Sequence, residues 1–427
     1  MKNPIRIGII GMGGFAGTHH QAVLQLEERG HARLVCTCDP APHTFAAEQQ
    51  LWRFAQRGVA VFSDYRAMLE AHHAHLDMVV IPTPIALHAE MHAAATAYGL
   101  PTYLEKPPTL DWAELQRMIA ADVRARRASL VGFNFLLEKC RLSLKERLLS
   151  GEFGAIRGAT LSARWPRPAE YFARNAWAGR LVIDGRLVLD SCFGNAMCHF
   201  VHNLLFWTGR PDLFSWAQVA AVRAELYRAH AIEGADTFFV ETDTTDGVTL
   251  RLAVSHACAG ASEHCEMVLC DKATLRYSVA RQIEVRWNDG RVERLATEPY
   301  DSVQENYLEY FRYLQGETQR PATTLIDARP FVTLNDLAYV SSGRITTLPA
   351  HLIGEHRDEK EQKVYLQVNG MAAAHEQFLV RGVWPSSAGW GRGPADVVTP
   401  NDLPRFESIA RAMAERKGKG EGEGEGE

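Results

Sequence analysis

Short apolar runs and amphipathic stretches alternate through the first third of the chain. The runs IRIGII (5–10), ARLVCTC (32–38), VAVF (59–62), DMVVI (77–81), PTYL (101–104) and ASLVGF (128–133) have strand length and are rich in β-branched residues. Between them, 16–29, 42–55, 64–73, 86–98 and 110–127 place apolar residues at helical spacing. This rhythm predicts a parallel sheet with helices on both faces, a doubly wound α/β domain over residues 1–127. After residue 128 the rhythm changes. A helical stretch at 136–150 leads into AIRGATLSARW, and 213–288 hold alternating strands with little helix between them. That pattern predicts a C-terminal α+β domain over 128–415 with a large, mostly antiparallel open sheet. Within it, residues 350–415 are the hardest to read: KVYLQV predicts a strand and DLPRFESIARAMAE a capped helix packed on this second domain. The tail ERKGKGEGEGEGE can bury nothing, so 416–427 are expected to be a disordered charged tail.

Composition narrows the partners. The formal charge of -5 is small for 427 residues, and no basic block with interleaved aromatics offers a footprint for nucleic acid. No stretch reaches bilayer-spanning length without charges, and MKNPIRIGIIGMGG reads as a first strand rather than a signal peptide. Eight cysteines without a C-x-x-C pair are expected to be reduced thiols of a cytoplasmic protein. AHHAHLD (71–77) and HAEMH (88–92) gather imidazoles, but neither has the partners or the order of a zinc site, and no metal is expected.

The first strand ends in GMGGFA. Gly11, Gly13 and Ala16 fit G-x-G-x-x-G/A, with Gly14 and Phe15 completing the turn. The first glycine permits the turn, the second admits a pyrophosphate to the backbone, and the small Ala16 lets the helix lie close on the strand. Asp39 closes the second strand at the distance of a ribose-binding carboxylate, and no Arg or Lys in DPAPHTFAAE awaits a 2′-phosphate, so NAD is favoured over NADP. Further on, LEKPPTL places Glu105 and Lys106 where a strand leaves its sheet, with two prolines stiffening the chain behind them. They are either a solvated turn pair or a ligand site at a carboxyl strand end. In the second domain Asn195, His199 and His202 are spaced four and three apart, on one face if the segment is a helix. Just before it, RWPRPAEYFARNAWAGR offers Arg164, Tyr171, Arg174 and Trp177 as a polar substrate pocket or a packed surface loop.

GIIGMGGFAGTHH, DMVVIPTPIALHAEMHAAATAYGLPTYLEKPPT and VGFNF, taken together, resemble successive landmarks of the glucose-fructose oxidoreductase / inositol dehydrogenase family, Gfo/Idh/MocA. The resemblance implies an N-terminal Rossmann domain. It also implies that Thr83, Pro84 and His88 edge the nicotinamide side of the cofactor, that Glu105 lies beside it, and that Lys106 is the active-site lysine. A large sheet with helices on one face is implied as well, its other face commonly used for subunit contact, hence a homo-oligomer. Aligned on Gly209, His199 holds the family's catalytic place, while Asn195 and His202 depart from its aspartates and Asp190 is a candidate for the missing carboxylate. Asn134 of VGFNF, Arg174, Trp177, Asp190, Asn195 and His202 are the candidate substrate contacts. For hydride transfer at a secondary carbon of a sugar, cyclitol or related polyol, His199 is the expected base and Lys106 stabilises the oxygen's charge, with a neutral Lys106 as the other choice of base. This expectation needs the ammonium of one domain and the imidazole of the other to meet across one cleft. A lyase or glycosidase that uses NAD transiently, and a non-catalytic dinucleotide-binding sensor, are the rival readings.

Overall fold

The computed structural model describes residues 3–278, 282–360, 362–391 and 395–418. They form two compact units, one of the residues up to Thr109, Ala113–Glu138 and Pro299–Arg329, the other of Leu110–Trp112, Lys139–Glu298 and Pro330 onward. The first unit therefore runs past the expected boundary at 127 and takes back a segment of the expected second domain. The tail expected to be disordered lies outside the described residues from 419 on, and its first residues, 416–418, continue a helix.

In the first unit β1 (Ile5–Ile10), β2 (Ala32–Cys38), β3 (Ala60–Phe62), β4 (Met78–Ile81), β5 (Thr102–Leu104) and β6 (Leu130–Val131) form one parallel sheet in the order β3-β2-β1-β4-β5-β6. The order reverses between β1 and β4, the place where ligands bind in doubly wound sheets. The crossovers are α1 (Ala16–Glu28), α2 (Ala46–Leu51) with α3 (Phe54–Arg57), α4 (Tyr65–His72), α5 (Ile85–Ala97) and α6 (Trp112–Asp122). The helix expected over 42–55 is broken, because Pro42 opens a 3-10 turn and Arg53 takes a left-handed φ of 56°. A further helix comes from residues far along the chain, and its Val303, Tyr307, Tyr310 and Phe311 share one core with Ile7, Ile9, Val80 and Tyr103.

The second unit opens with α7 (Lys139–Leu149) and β7 (Ile156–Arg164). There follow α8 (Ala169–Ala173), the small hairpin of β8 (Val182–Ile183) and β9 (Arg186–Leu187), and α9 (Cys198–Thr208). Strands β10 (Val219–Arg228), β11 (Thr237–Thr244), β12 (Thr249–Ser255), β13 (Glu263–Cys270), β14 (Ala273–Ser278), β15 (Gln282–Trp287) and β16 (Val292–Leu295) lead to α10 (Ser302–Leu314) of the first unit and to α11 (Leu325–Ser342). The chain ends through β17 (Thr346–Thr347), the hairpin β18 (Ile353–Asp358) and β19 (Lys363–Val368), α12 (Met371–Arg381) and α13 (Phe406–Gly418), so KVYLQV is a strand. The expected capped helix is also there: Thr399 and Asp402 form a capping box on a 3-10 turn that leads into α13. The large sheet runs β16-β15-β14-β13-β7-β12-β11-β10-β17, antiparallel except where β7 meets β12 and β10 meets β17.

Neighbouring side chains on β11 report what covers the sheet, since successive strand residues face opposite ways. Phe238 packs against Phe193 and Tyr339, at 5.2 and 5.8 Å between ring centroids. Phe239 on the other face meets Phe378 of α12 at 5.4 Å and Trp390 at 5.8 Å. Helices were expected on one face with the other commonly used for subunit contact, and the chain's own C-terminal segment covers part of that second face, over β7, β11 and β12, where His375 of α12 also meets Ser162 of β7 at 3.1 Å.

Candidate active site

The glycine turn sits at the carboxyl end of β1. Gly11 has a φ of 111° and Gly14 one of 58°, conformations that side chains with a Cβ rarely adopt. The Gly11 N–H donates to the Cys38 carbonyl at 2.7 Å, which locks the turn to the end of β2. A Cβ on Gly13 would approach Phe45 to 3.2 Å, and Ala16 is buried where α1 begins. No side chain caps α1 and no acid stands in its first turn, so its N–H groups and positive dipole end suit an anion. Asp39 accepts the Met12 N–H at 3.1 Å on one oxygen and the Ala41 N–H at 3.1 Å on the other, and is half-buried. Each carboxylate oxygen has a second lone pair for a ribose hydroxyl. The residues present thus fit a dinucleotide.

Two histidines that the motif reading passed over support this turn. His20, stacked on Trp52 at 4.4 Å, faces the Gly11 carbonyl at 3.1 Å, and burial pushes its pKa down to about 3, so the neutral ring donates. His19, on the next position of α1, turns toward Glu105, at 3.1 Å.

Next to β1, β4 ends before Thr83, which is half-buried, and Pro84, which is exposed. His88 does not edge anything outside the protein. It is buried, with Nε2 2.8 Å from the Thr83 carbonyl and Nδ1 3.1 and 3.2 Å from the Pro107 and Pro108 carbonyls. Its ring therefore braces the turn after β4 against the turn after β5, and burial lowers its pKa. Glu105 is buried and its N–H donates to Ile81 at 3.1 Å, which fixes the exit of β5; one of its carboxylate oxygens accepts the Lys106 N–H at 3.2 Å. Lys106 is half-buried at the carboxyl end of the sheet, and the Lys106–Pro107 peptide is cis. Asn134, a candidate substrate contact, is buried after β6. Its side-chain oxygen accepts the Tyr103 hydroxyl at 3.0 Å and its carbonyl accepts Tyr300 and Asn306, so these two oxygens tie the unit together.

In the second unit the carboxylate and amide expected near each other do meet: Asn195 Nδ2 donates to Asp190 at 2.7 Å, and the Gly179 N–H donates to the other oxygen at 2.7 Å. Leu189, one residue before, is held at a φ of 53°, a strained value for a leucine. The segment that follows is not one helix. Cys192–Ala196 form a π turn capped by Ser191, Met197 leaves helical geometry, and α9 restarts at Cys198. The shared face expected for Asn195, His199 and His202 therefore does not exist as such. His202 is buried against Trp216 at 5.1 Å, on a helix whose residues are nearly all enclosed. His199 is the one residue of α9 that is not buried. Arg174 is exposed, its guanidinium 3.5 Å over Tyr171 and 5.1 Å from Trp177, with Nη1 donating to the Tyr171 carbonyl at 2.7 Å; the loop packs on itself. Arg164 is paired with Glu263. Among the described residues no cluster of His, Cys, Asp and Glu could hold a metal ion, and no helix is long and apolar enough to cross a membrane.

Residues 5–133 match the Gfo/Idh/MocA oxidoreductase family with its NAD-binding Rossmann fold, and residues 142–276 match the Gfo/Idh/MocA C-terminal domain. An inositol 2-dehydrogenase of Streptomyces avermitilis is 32% identical over 36% of this chain and 43% of its own length. Inositol 2-dehydrogenase 4 of Saccharopolyspora erythraea is 29% identical over 63% of this chain and 72% of its own. The chain spans about half the length of most of the curated relatives it matches. Among solved structures, the WlbA dehydrogenase of Bordetella pertussis in complex with NADH and UDP-GlcNAcA superposes with a TM-score of 0.64 at 25% identity, over 79% of this chain and 96% of that one. A glycine turn, a fixed Glu-Lys strand end and a nine-stranded second sheet, with both family models matched in order, place the chain in the Gfo/Idh/MocA family of oxidoreductases.

Proposed function

We propose that the protein is an NAD-dependent dehydrogenase acting at a secondary CH–OH carbon of a sugar, cyclitol or related polyol, in the cytoplasm. The observation that carries this reading is the anchored exit of β5, where Glu105 is buried and Lys106 half-buried, on the same carboxyl end of the parallel sheet as the glycine turn. The glycine turn and the start of α1 hold the pyrophosphate, Asp39 the ribose, and Thr83 with Pro84 the edge of the nicotinamide. NAD is preferred to NADP because Asp39 repels a 2′-phosphate and no cation follows it through residue 48. When bound, the nicotinamide supplies the hydride acceptor. Lys106 holds the substrate oxygen and stabilises its developing charge, and His199 takes the hydroxyl proton, with Asp190 and Asn195 positioning the substrate. The eight free cysteines agree with a reducing compartment. A homo-oligomer, expected from the resemblance, stays part of the proposal, with subunit contact on the sheet outside β7, β11 and β12, which α12 covers.

A panel of inositols, aldoses and sugar acids with NAD or NADP, followed by formation of reduced cofactor, tests the reading. Net turnover with one of them is expected, faster with NAD, and lost in Lys106→Ala and in His199→Ala. Substrate consumed without net reduced cofactor favours transient oxidation, and turnover unchanged in both variants overturns the assignment.

A further inference from the structure

His19 is buried on the second turn of α1, close behind the glycine turn, and serves no purpose in the reading above. Its Nε2 lies 3.1 Å from Glu105 Oε1, and its Nδ1 lies 2.8 Å from the hydroxyl of Tyr307, contributed by α10 from 288 residues away. The rings of Phe15, Tyr103 and Tyr307 stand edge-on around it at 5.4, 5.2 and 5.7 Å, so it has no room to rotate. Burial pushes the Tyr307 phenol far above its ordinary range, so that hydroxyl keeps its proton. A neutral imidazole has one donor and one acceptor nitrogen. With a carboxylate on the Nε2 side, the arrangement that satisfies every group is Tyr307 O–H donating to Nδ1 and Nε2–H donating to Glu105. The other oxygen of Glu105 then takes the Lys106 N–H at 3.2 Å. Space is set for the carboxylate as well, because a Cβ on Gly132 would stand 2.9 Å from Glu105 Oε1.

We propose that His19 and Tyr307 are positioning residues for the Glu105–Lys106 strand end. Through them α1, which begins at the pyrophosphate turn, and α10 fix the carboxylate beside Lys106, so the phosphate side and the nicotinamide side of the dinucleotide site are held in one register. This inference rests on the dehydrogenase reading for its effect on turnover, and on the dinucleotide site alone for its effect on binding.

The test uses the full chain with His19→Ala, His19→Gln and Tyr307→Phe, each checked for native circular dichroism. Ring-nitrogen NMR of the ligand-free protein, with the His19 signals assigned by their absence from His19→Gln, is expected to show the Nε2–H tautomer in wild type. NAD affinity by calorimetry is expected to fall about a hundredfold in His19→Ala, which loses a hydrogen bond to a charged group, and about tenfold in Tyr307→Phe, which loses a neutral one. His19→Gln, whose amide N–H reaches toward the place of Nε2, is expected to recover most of the loss. Turnover falls in parallel, with the polyol KM unchanged. Wild-type NAD affinity in folded His19→Ala and Tyr307→Phe, an Nδ1–H tautomer, or no rescue by glutamine overturns the proposal. If NAD binds but no polyol supports turnover, the dehydrogenase reading fails while affinity and tautomer still decide this one.

Discussion

Two lysines of this chain are set apart from the rest, one just after a strand and one against the end of a helix. Lys106 follows β5 at the carboxyl end of the parallel sheet and is half-buried, its backbone tied down through Glu105. Lys145 on α7 is fully buried and donates to the carbonyls of Phe206 at 2.5 Å, of Gly209, and of Ser215 at 3.4 Å. Those oxygens belong to the last turn of α9 and the loop after it, where the helix dipole is negative. Gly209 is required there, since a Cβ would run into the Ser215 carbonyl. Burial and the Arg210 guanidinium push Lys145 down to about 7, a value that by itself suits a catalytic base. Its surroundings argue otherwise. Three protein acceptors saturate its three donors, so Lys145 is a clamp that closes α9, while the chemistry is assigned to the lysine at the open edge.

The largest effect separates these roles. Lys145→Ala leaves three buried carbonyls without a donor and a cavity behind them, and is expected to cost about 3–5 kcal/mol of stability in urea unfolding. Turnover per folded molecule should stay the same. Lys106→Ala is expected to change stability by less than about 0.5 kcal/mol and to lower turnover by about two to three orders of magnitude. A Lys106 variant that unfolds, or a stable Lys145 variant that is inactive, would reverse the assignment.

The contrast also explains what the sequence made readable. The strand end at Lys106 is written in local residues: the strand signal of PTYL, the Glu-Lys pair, two prolines, and a glycine motif at the right distance upstream. Each of these is a local signal, complete within a few positions of its own stretch of chain, and the strand and the glycine turn appeared where expected. The clamp at Lys145 depends on residues 61 to 70 positions away, and nothing in LSLKERLL announces it. His19 is similar, since only the approach of Glu105 and Tyr307, both far along the chain, distinguishes it from any other residue of an amphipathic helix. The return of α10 to the first unit and the cover that α12 lays over the second sheet were unreadable for the same reason. Spacing failed at Asn195 because it assumes an unbroken helix, and the π turn at Cys192–Ala196 shifts its phase against His199, whereas His202 keeps its place three residues on along α9 and is buried. Gly194 in the middle of that segment was the available signal.

A middle-sized effect extends the comparison from lysines to enclosed imidazoles. Burial holds His20 in the first unit and His256 and His375 in the second down to about 3. Their folded values lie below the unfolded value of 6.5, so the unfolded chain binds more protons between the two, and stability falls as pH drops below about 6.5. Each ring costs roughly 1 kcal/mol per pH unit in that window. The urea midpoint is therefore expected to be clearly lower at pH 5 than at pH 7.5. Equal midpoints would mean that these rings accept protons inside the fold, and that enclosure does not govern charge here as it is argued to do for Lys145.

The smallest effect asks what charge the clamp carries. Arg210 is exposed and its guanidinium opposes an ammonium at Lys145, so Arg210→Gln removes a repulsion and nothing from the core. Across solvent such a pair is worth about a few tenths of a kcal/mol, and salt screens it. With Lys145 brought down to about 7, the ammonium is present at pH 6 and largely gone at pH 9. Arg210→Gln should then raise the urea midpoint slightly at pH 6 in low salt and leave it unchanged at pH 9. A gain that persists at pH 9 and vanishes in high salt would show the three carbonyls outweighing burial, with Lys145 a permanently charged clamp. No gain at pH 6 would mean that the side chain is already neutral there, with too few protons to serve all three carbonyls, and the difference drawn between the two lysines would lose its basis.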